Sequence, residues 1–218
     1  MQLPIHIVDA FTSEQFKGNQ AAVVVLEAWL PDATLQAIAT ENNLSETAFL
    51  VWSDDRAAFE IRWFSPIKEI AFCGHATLAS ACVLFASKPG CDRLTFWAAA
   101  VGNVVATLQA SGRIVMTFPR RDARPLADVP NALLEGLRPA PSAVLVNEQA
   151  YVAVYANEAD VRAVQPDLVR LQTLGPLDVV VTAPADPGAG YDFVSRYFWP
   201  ANGGDEDPVT GSIHAALA

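Results

Sequence analysis

The stretch Cys73-Gly74-His75-Ala76-Thr77-Leu78-Ala79-Ser80-Ala81-Cys82-Val83-Leu84-Phe85-Ala86-Ser87 decides the fold. From Ile70 to Ser87 no residue carries a formal charge, apart from a proton that His75 can take up. A helix that is apolar all round must be covered all round. A membrane span asks for about 20 strongly apolar residues. This segment instead holds Gly74, His75, Thr77, Ser80 and Ser87 and is rich in alanine. It reads as a helix buried inside a soluble domain, with no membrane partner, and its neighbours in sequence must supply the cover.

Working outward, those neighbours read mostly as strands. Ile5 to Ala10 is a first strand, and Gly18-Asn19 marks the turn before Ala21 to Leu26, a continuous apolar run of the kind found in buried strands. Pro31-Asp32 opens a helix that runs to about Asn42, and Thr47 to Trp52 and Phe59 to Phe64 follow as strands. Beyond the apolar helix come strands near Leu94 to Trp97, Val104 to Gln109 and Ile114 to Phe118, the last two joined at Ser111-Gly112. Prolines 119, 125, 130, 139 and 141 suggest that residues 119–141 cross between two lobes. Strands then resume at Ala143 to Val146, Ala150 to Tyr155 and Val179 to Ala183. A short helix lies within Asn157 to Arg170, Tyr191 to Tyr197 is the last strand, and a helix begins near Thr210. The expected class is α+β, with an N-terminal lobe over 1–118 and a C-terminal lobe over 119–218. Each lobe places a glycine at the mouth of an alanine-rich helix, Gly74 in one and Gly211 in the other.

The 218 residues include 14 Lys and Arg against 24 Asp and Glu, a formal charge of −10. Such a chain repels phosphate backbones, so nucleic acid is a poor partner and a small molecule a better one. The cysteines, Cys73, Cys82 and Cys91, are odd in number and form no C-x-x-C, which argues against a disulfide framework. The opening Met1-Gln2-Leu3-Pro4-Ile5-His6 has no basic region followed by an apolar one. A cytoplasmic setting is expected. No phosphate-binding glycine loop is present, so no nucleotide cofactor is indicated, and Cys73-x-His75 is too short and isolated to indicate a metal.

Three residues stand out for chemistry. Glu46 lies between a helix and an apolar strand, where partial desolvation suits a carboxylate to proton shuttling. An exposed glutamate at a loop end has the same local sequence. His75 follows Gly74 at the start of the most apolar helix, and a polar ring there is an odd choice for packing alone. A buried histidine bonded to a carbonyl is the plainer alternative. Asp207, in Asp205-Glu206-Asp207-Pro208-Val209-Thr210-Gly211-Ser212, reads either as a helix cap before a proline or as a carboxylate held rigid beside a helix start. In the second case Ser212 hydrogen-bonds an anionic ligand.

The motifs Val8-Asp9-Ala10-Phe11-Thr12, Gly18-Asn19, Asn43-Leu44-Ser45-Glu46-Thr47-Ala48-Phe49, Arg62-Trp63-Phe64-Ser65-Pro66, Cys73-Gly74-His75-Ala76-Thr77-Leu78-Ala79, Asp192-Phe193-Val194-Ser195-Arg196-Tyr197-Phe198 and Glu206-Asp207-Pro208-Val209-Thr210-Gly211-Ser212 occur in one order across nearly the whole chain. Together they resemble the phenazine-biosynthesis PhzF-like family, which has the diaminopimelate epimerase fold. The resemblance implies two pseudo-symmetric lobes, each a curled mixed or antiparallel sheet around a central helix, with the active site in the cleft between them. It implies a homodimer and an isomerase that moves a proton on a small carboxylate-bearing metabolite, without metal or organic cofactor. Carried over by motif, Glu46, His75 and Asp207 become catalytic, and Cys73, Gly74, Gly211 and Ser212 meet the substrate. The expectation is that Glu46, His75 and Asp207 converge on one bound molecule.

Related epimerases use two thiols as an acid/base pair. Here Cys73 stands at the first such place but Thr210 at the second, and a threonine hydroxyl is far too weak an acid to replace a thiolate. The two-thiol mechanism is therefore rejected. Gln20 stands where the family has proline, and Ile213 where it has a small residue. Family members continue through further strands beyond the position of Ala218. A second lobe that ended there would be inactive or covered by another subunit. The competing function is thus a non-catalytic metabolite-binding protein that kept the cleft and lost turnover.

Overall fold

Helix α2 (Gly74–Ser87) is enclosed as its composition requires. The computed structural model describes residues 2–14, 16–207 and 210–217. They fall into two compact units, Met1–Pro119 and Arg120–Ala218. The first contains β1 (His6–Ala10), β2 (Asn19–Leu26), α1 (Asp32–Asn42), β3 (Glu46–Ser53), β4 (Ala58–Phe64), β5 (Glu69–Ile70), α2, β6 (Arg93–Ala98), β7 (Gly102–Leu108) and β8 (Ile114–Thr117). The strands make one sheet in the order β1-β2-β3-β4-β6-β7-β8, with β5 paired to β4. The β2–β3 and β4–β6 pairs are parallel and the remaining pairs antiparallel. Strands β1 and β8, at opposite ends of that order, both pack on α2, so the sheet curls around the helix.

Residue size explains how a helix fits inside a sheet. Ala21 and Ala48 face it from β2 and β3, and Ala76, Ala79 and Ala81 answer from the helix, all 0–1% exposed. Larger side chains, Phe59, Ile61, Trp63 and Phe96, fill the rest of this core. On the opposite face of β2 and β3, Val24, Leu26 and Phe49 pack against Leu35 and Ala39 of α1. Cover on both faces is why Ala21–Leu26 reads as a continuous apolar run instead of an alternating one. Thr77 and Ser80 are buried without cost to hydrogen bonding. Their hydroxyls donate back to the carbonyls of Cys73 and Ala76, at 2.6 and 2.7 Å. Among the described residues no helix is long and apolar enough to cross a membrane.

The second unit contains β9 (Arg124–Pro125), α3 (Asn131–Gly136), β10 (Leu137–Arg138), β11 (Ala143–Val146), β12 (Ala150–Val154), α4 (Glu158–Ala163), β13 (Gln165–Pro166), α5 (Leu168–Gln172), β14 (Asp178–Pro184), β15 (Phe193–Phe198), β16 (Glu206–Asp207) and α6 (His214–Leu217), with 3-10 turns at Pro200–Asn202 and Gly211–Ile213. Its main sheet runs β16-β15-β14-β12-β11-β9, with β12 and β14 parallel. One face packs Val179, Val181 and Phe198 against Leu133, Val161 and Leu171 of the helices. The other packs Ala150, Val152, Val180 and Tyr197 against Ile213, Ala216 and Leu217. The architecture is α+β.

Three readings of the sequence need correction here. Residues 119–141 are not a plain crossing, because β9, α3 and β10 lie within them and Leu133 and Leu137 are fully buried. The prolines that suggested a linker sit at element edges: Pro130 precedes α3 and Pro125 lies in the outermost strand β9. Residues 157–170 do not hold one helix. Asn157 accepts from the Asp160 N–H to start α4, Pro166 lies in β13 between the helices, and Asp167 accepts from the Arg170 N–H to start α5. Nor is β15 the last strand. β16 follows it, tied by a two-bond ion pair from Arg196 to Glu206 at 2.8 and 2.9 Å.

Candidate active site

Helix α1 stops at Asn43, whose φ of +53° is left-handed and whose N–H donates to the Ala39 carbonyl. Asparagine tolerates this conformation better than most residues. The turn delivers Leu44 and Ser45 to the start of β3, so Glu46 is the first residue of a central strand, opposite Ala21 of β2. His75 arrives from the first turn of α2, after an extended Cys73.

Glu46 Oε2 lies 3.1 Å from His75 Nε2, with the glutamate side chain 18% and the histidine 6% exposed. The pair is close but not aligned for a hydrogen bond, and Glu46 Oε2 is a buried oxygen with no hydrogen-bond partner among the described residues. Cys73 Sγ lies 3.4 Å from the other ring nitrogen, Nδ1. Ser45, which the sequence reading did not single out, lies 3.3 Å from His75 Nε2 through its hydroxyl and also donates to the Gln20 carbonyl at 3.2 Å. His75 is thus held by side chains at both nitrogens, and the plainer reading of a histidine bonded to a carbonyl does not describe it. Carboxylate, thiol and imidazole ligand atoms lie within 4.8 Å of one another, the spacing of a potential metal site. The thiol and the carboxylate make their closest approaches to different nitrogens of the ring. Opposed partners suit a ring that steers protons.

Beside this group lies a polar depression of about 410 Å³, lined among others by Asp9, Lys17, Asn19, Gln20, Asn43 and Ser45. Its wall depends on Gly18, whose φ is +79° and where a Cβ would fall 2.1 Å from the Ala10 carbonyl oxygen. Gly18→Ala is expected to cost about 1–2 kcal/mol or more from the left-handed backbone alone. A thermal scan should show the first unit melting several degrees lower.

The remaining sequence-derived residues sit in the second unit. Asp207 is in β16, in register with Tyr197, and accepts a hydrogen bond from the Thr210 hydroxyl at 2.5 Å. Gly211 and Ser212 form the 3-10 turn that leads into α6, and Ser212 Oγ accepts from Gln149 Nε2 at 2.7 Å. Pro208, read as a rigid support for Asp207, lies outside the described residues. The structure therefore gathers Glu46, Cys73, Gly74 and His75 within one unit, and Asp207, Gly211 and Ser212 within the other.

A family model described as phenazine biosynthesis-like protein, PhzC-PhzF, matches residues 8–218. The chain belongs to the PhzC-PhzF family. An uncharacterised isomerase of Pseudomonas aeruginosa is 44% identical over 218 residues, all of this chain and 81% of that protein. The crystal structure of a PhzF-family protein from Enterococcus faecalis is 39% identical, with a TM-score of 0.83 over 100% of this chain and 81% of that one. A predicted epimerase of Pseudomonas aeruginosa, at 22% identity and TM-score 0.68 over 98% of this chain and 79% of that one, shares the fold. This PhzF-family chain thus has the diaminopimelate epimerase-like fold, with the curled sheet around α2 as its first half.

Proposed function

We propose that this protein is a cofactor-independent isomerase that moves a proton between carbons of a small carboxylate-bearing metabolite, amino acid-like or cyclic. Glu46 takes the proton as one C–H bond breaks and returns it as another forms, so the molecular formula is unchanged and no redox partner is needed. The observation that carries this reading is the buried Glu46 Oε2, which has no hydrogen-bond partner among the described residues and lies 3.1 Å from His75 Nε2. The ring nitrogen at that distance orients the carboxylate, and the Cys73 contact at Nδ1 keeps the ring in place. The relatives' description as isomerases agrees with it. Asp207 and Ser212 are assigned to the substrate by their motif, with Ser212 bonding its anionic group.

The test is solvent-deuterium incorporation. The wild-type protein is incubated in D₂O with a panel of cyclic and amino carboxylic acids chosen by thermal shift. Deuterium at carbon is the expected result for at least one of them. Ligands that stabilise the protein but never exchange would instead identify a binding protein without turnover.

A further inference from the structure

A chain of polar groups that the sequence reading did not single out ends on Ser212. The Tyr197 hydroxyl donates to Asp178 Oδ2 at 2.8 Å, and Asn202 Nδ2 donates to Asp178 Oδ1 at 2.8 Å. Gln149 Nε2 lies 3.0 Å from the Tyr197 oxygen and 2.7 Å from Ser212 Oγ. The direction of each bond follows from the charged end. A carboxylate only accepts, so the single O–H of Tyr197 points at Asp178. Burial and the neighbouring carboxylate both push the Tyr197 phenol upward, which keeps that hydrogen on it. The Tyr197 oxygen then offers only lone pairs, so the amide group facing it must be the NH₂ of Gln149. The second hydrogen of the same nitrogen goes to Ser212 Oγ. Ser212 accepts from Gln149 through one lone pair, and its own hydrogen meets no acceptor among the described residues.

We propose that Gln149, Tyr197 and Asp178 are positioning residues that orient the Ser212 hydroxyl so that its hydrogen points to the ligand, which favours an acceptor such as a carboxylate there over an ammonium. This rests on the assignment of Ser212 to the substrate and not on the proton transfer by Glu46. It deepens the functional reading by naming what sets the polarity of the second unit's contact.

The full chain is titrated with benzoate and with neutral benzamide, both acceptors, and with benzylammonium, by calorimetry. Wild type is expected to bind the two acceptors in preference to the ammonium. Gln149→Met keeps the side-chain length and removes the N–H, and acceptor affinity is expected to fall about tenfold, the scale of one hydrogen bond to a charged group. Gln149→Glu places an acceptor against Ser212 and turns its hydrogen inward. It is expected to weaken benzamide as well as benzoate, which charge repulsion alone does not do. Lowering the pH to protonate the introduced carboxyl restores a donor, and benzamide affinity should recover relative to wild type at the same pH. The wild-type control carries the titration of Asp178, whose carboxyl burial pushes upward. A role in packing alone would not give that recovery. Wild-type affinity in both variants overturns the proposal, as does failure of the wild type to bind either acceptor. Circular dichroism of each variant confirms folding. Because the readout is equilibrium binding, absence of deuterium exchange in the wild type would refute the isomerase reading and leave this outcome separate.

Discussion

Glu46→Gln is expected to lower solvent-deuterium incorporation into substrate by about 10²–10⁴-fold, the usual contribution of a positioned acid/base group. The substitution keeps the shape of the side chain and removes its capacity to carry a proton. Folding should survive it. Glu46 lies at the very start of β3, and no hydrogen bond to its Oε2 is lost. Glu46→Asp provides the finer control. It retains the carboxylate but withdraws it by one methylene from the position 3.1 Å from His75, and a misplacement of about 1 Å can cost about 10²-fold. The expected order is therefore wild type, then aspartate, then glutamine. It is read by mass spectrometry or proton NMR of substrate recovered from D₂O. Deuterium incorporation by Glu46→Gln at the wild-type rate would end the proposed mechanism, and incorporation by Glu46→Asp at that rate would remove the geometric part of it.

The parts of the fold that could be read from sequence are those whose residues face one kind of environment. Ala21–Leu26 reads as apolar because β2 is covered on both faces except at Val25, and Gly74–Ser87 is apolar all round because a sheet wraps it. Asn43 and Gly18 mark turns whose backbone needs them. Residues 119–141 misled because proline density resembles a linker, whereas the information that α3 is structured resides in Leu133 and Leu137, two residues whose burial depends on α5 and the sheet. At the site, Glu46 and His75 were legible through the motifs around them, but their approach to 3.1 Å was not. It arises because β3 lies in the sheet that α2 packs against. The Gln149–Tyr197–Asp178 chain had no local signature at all. Gln149 meets Ser212 across 63 residues of sequence, and only the order of β12, β14 and β15 in the sheet brings it together.

The largest expected change in stability is at Trp63, and the contrast between two substitutions there tests how the first unit is held together. The side chain is 1% exposed, sits opposite Ala48 in the sheet and meets Phe72 edge-on at 5.5 Å. Truncation to alanine removes the largest fully buried side chain of the described residues and leaves a cavity beside α2. Such a change costs about 3–5 kcal/mol, a large share of the roughly 5–15 kcal/mol that holds a typical domain folded. Trp63→Phe should behave differently. The indole N–H is buried with no hydrogen-bond partner among the described residues, and relieving a buried unmatched donor returns about 1–3 kcal/mol. That gain offsets the loss of the smaller ring's missing contacts, and phenylalanine keeps the edge-to-face pairing with Phe72. The phenylalanine variant is thus expected within about 1–2 kcal/mol of wild type. Urea unfolding of the full chain, followed by circular dichroism, gives both numbers. Because the two units need not unfold together, the comparison uses the transition that shifts in the alanine variant. A phenylalanine variant as unstable as the alanine one would mean that the indole N–H is satisfied and that Trp63 owes its place to a hydrogen bond. An alanine variant as stable as wild type would mean that α2 is not held by the packing of this sheet.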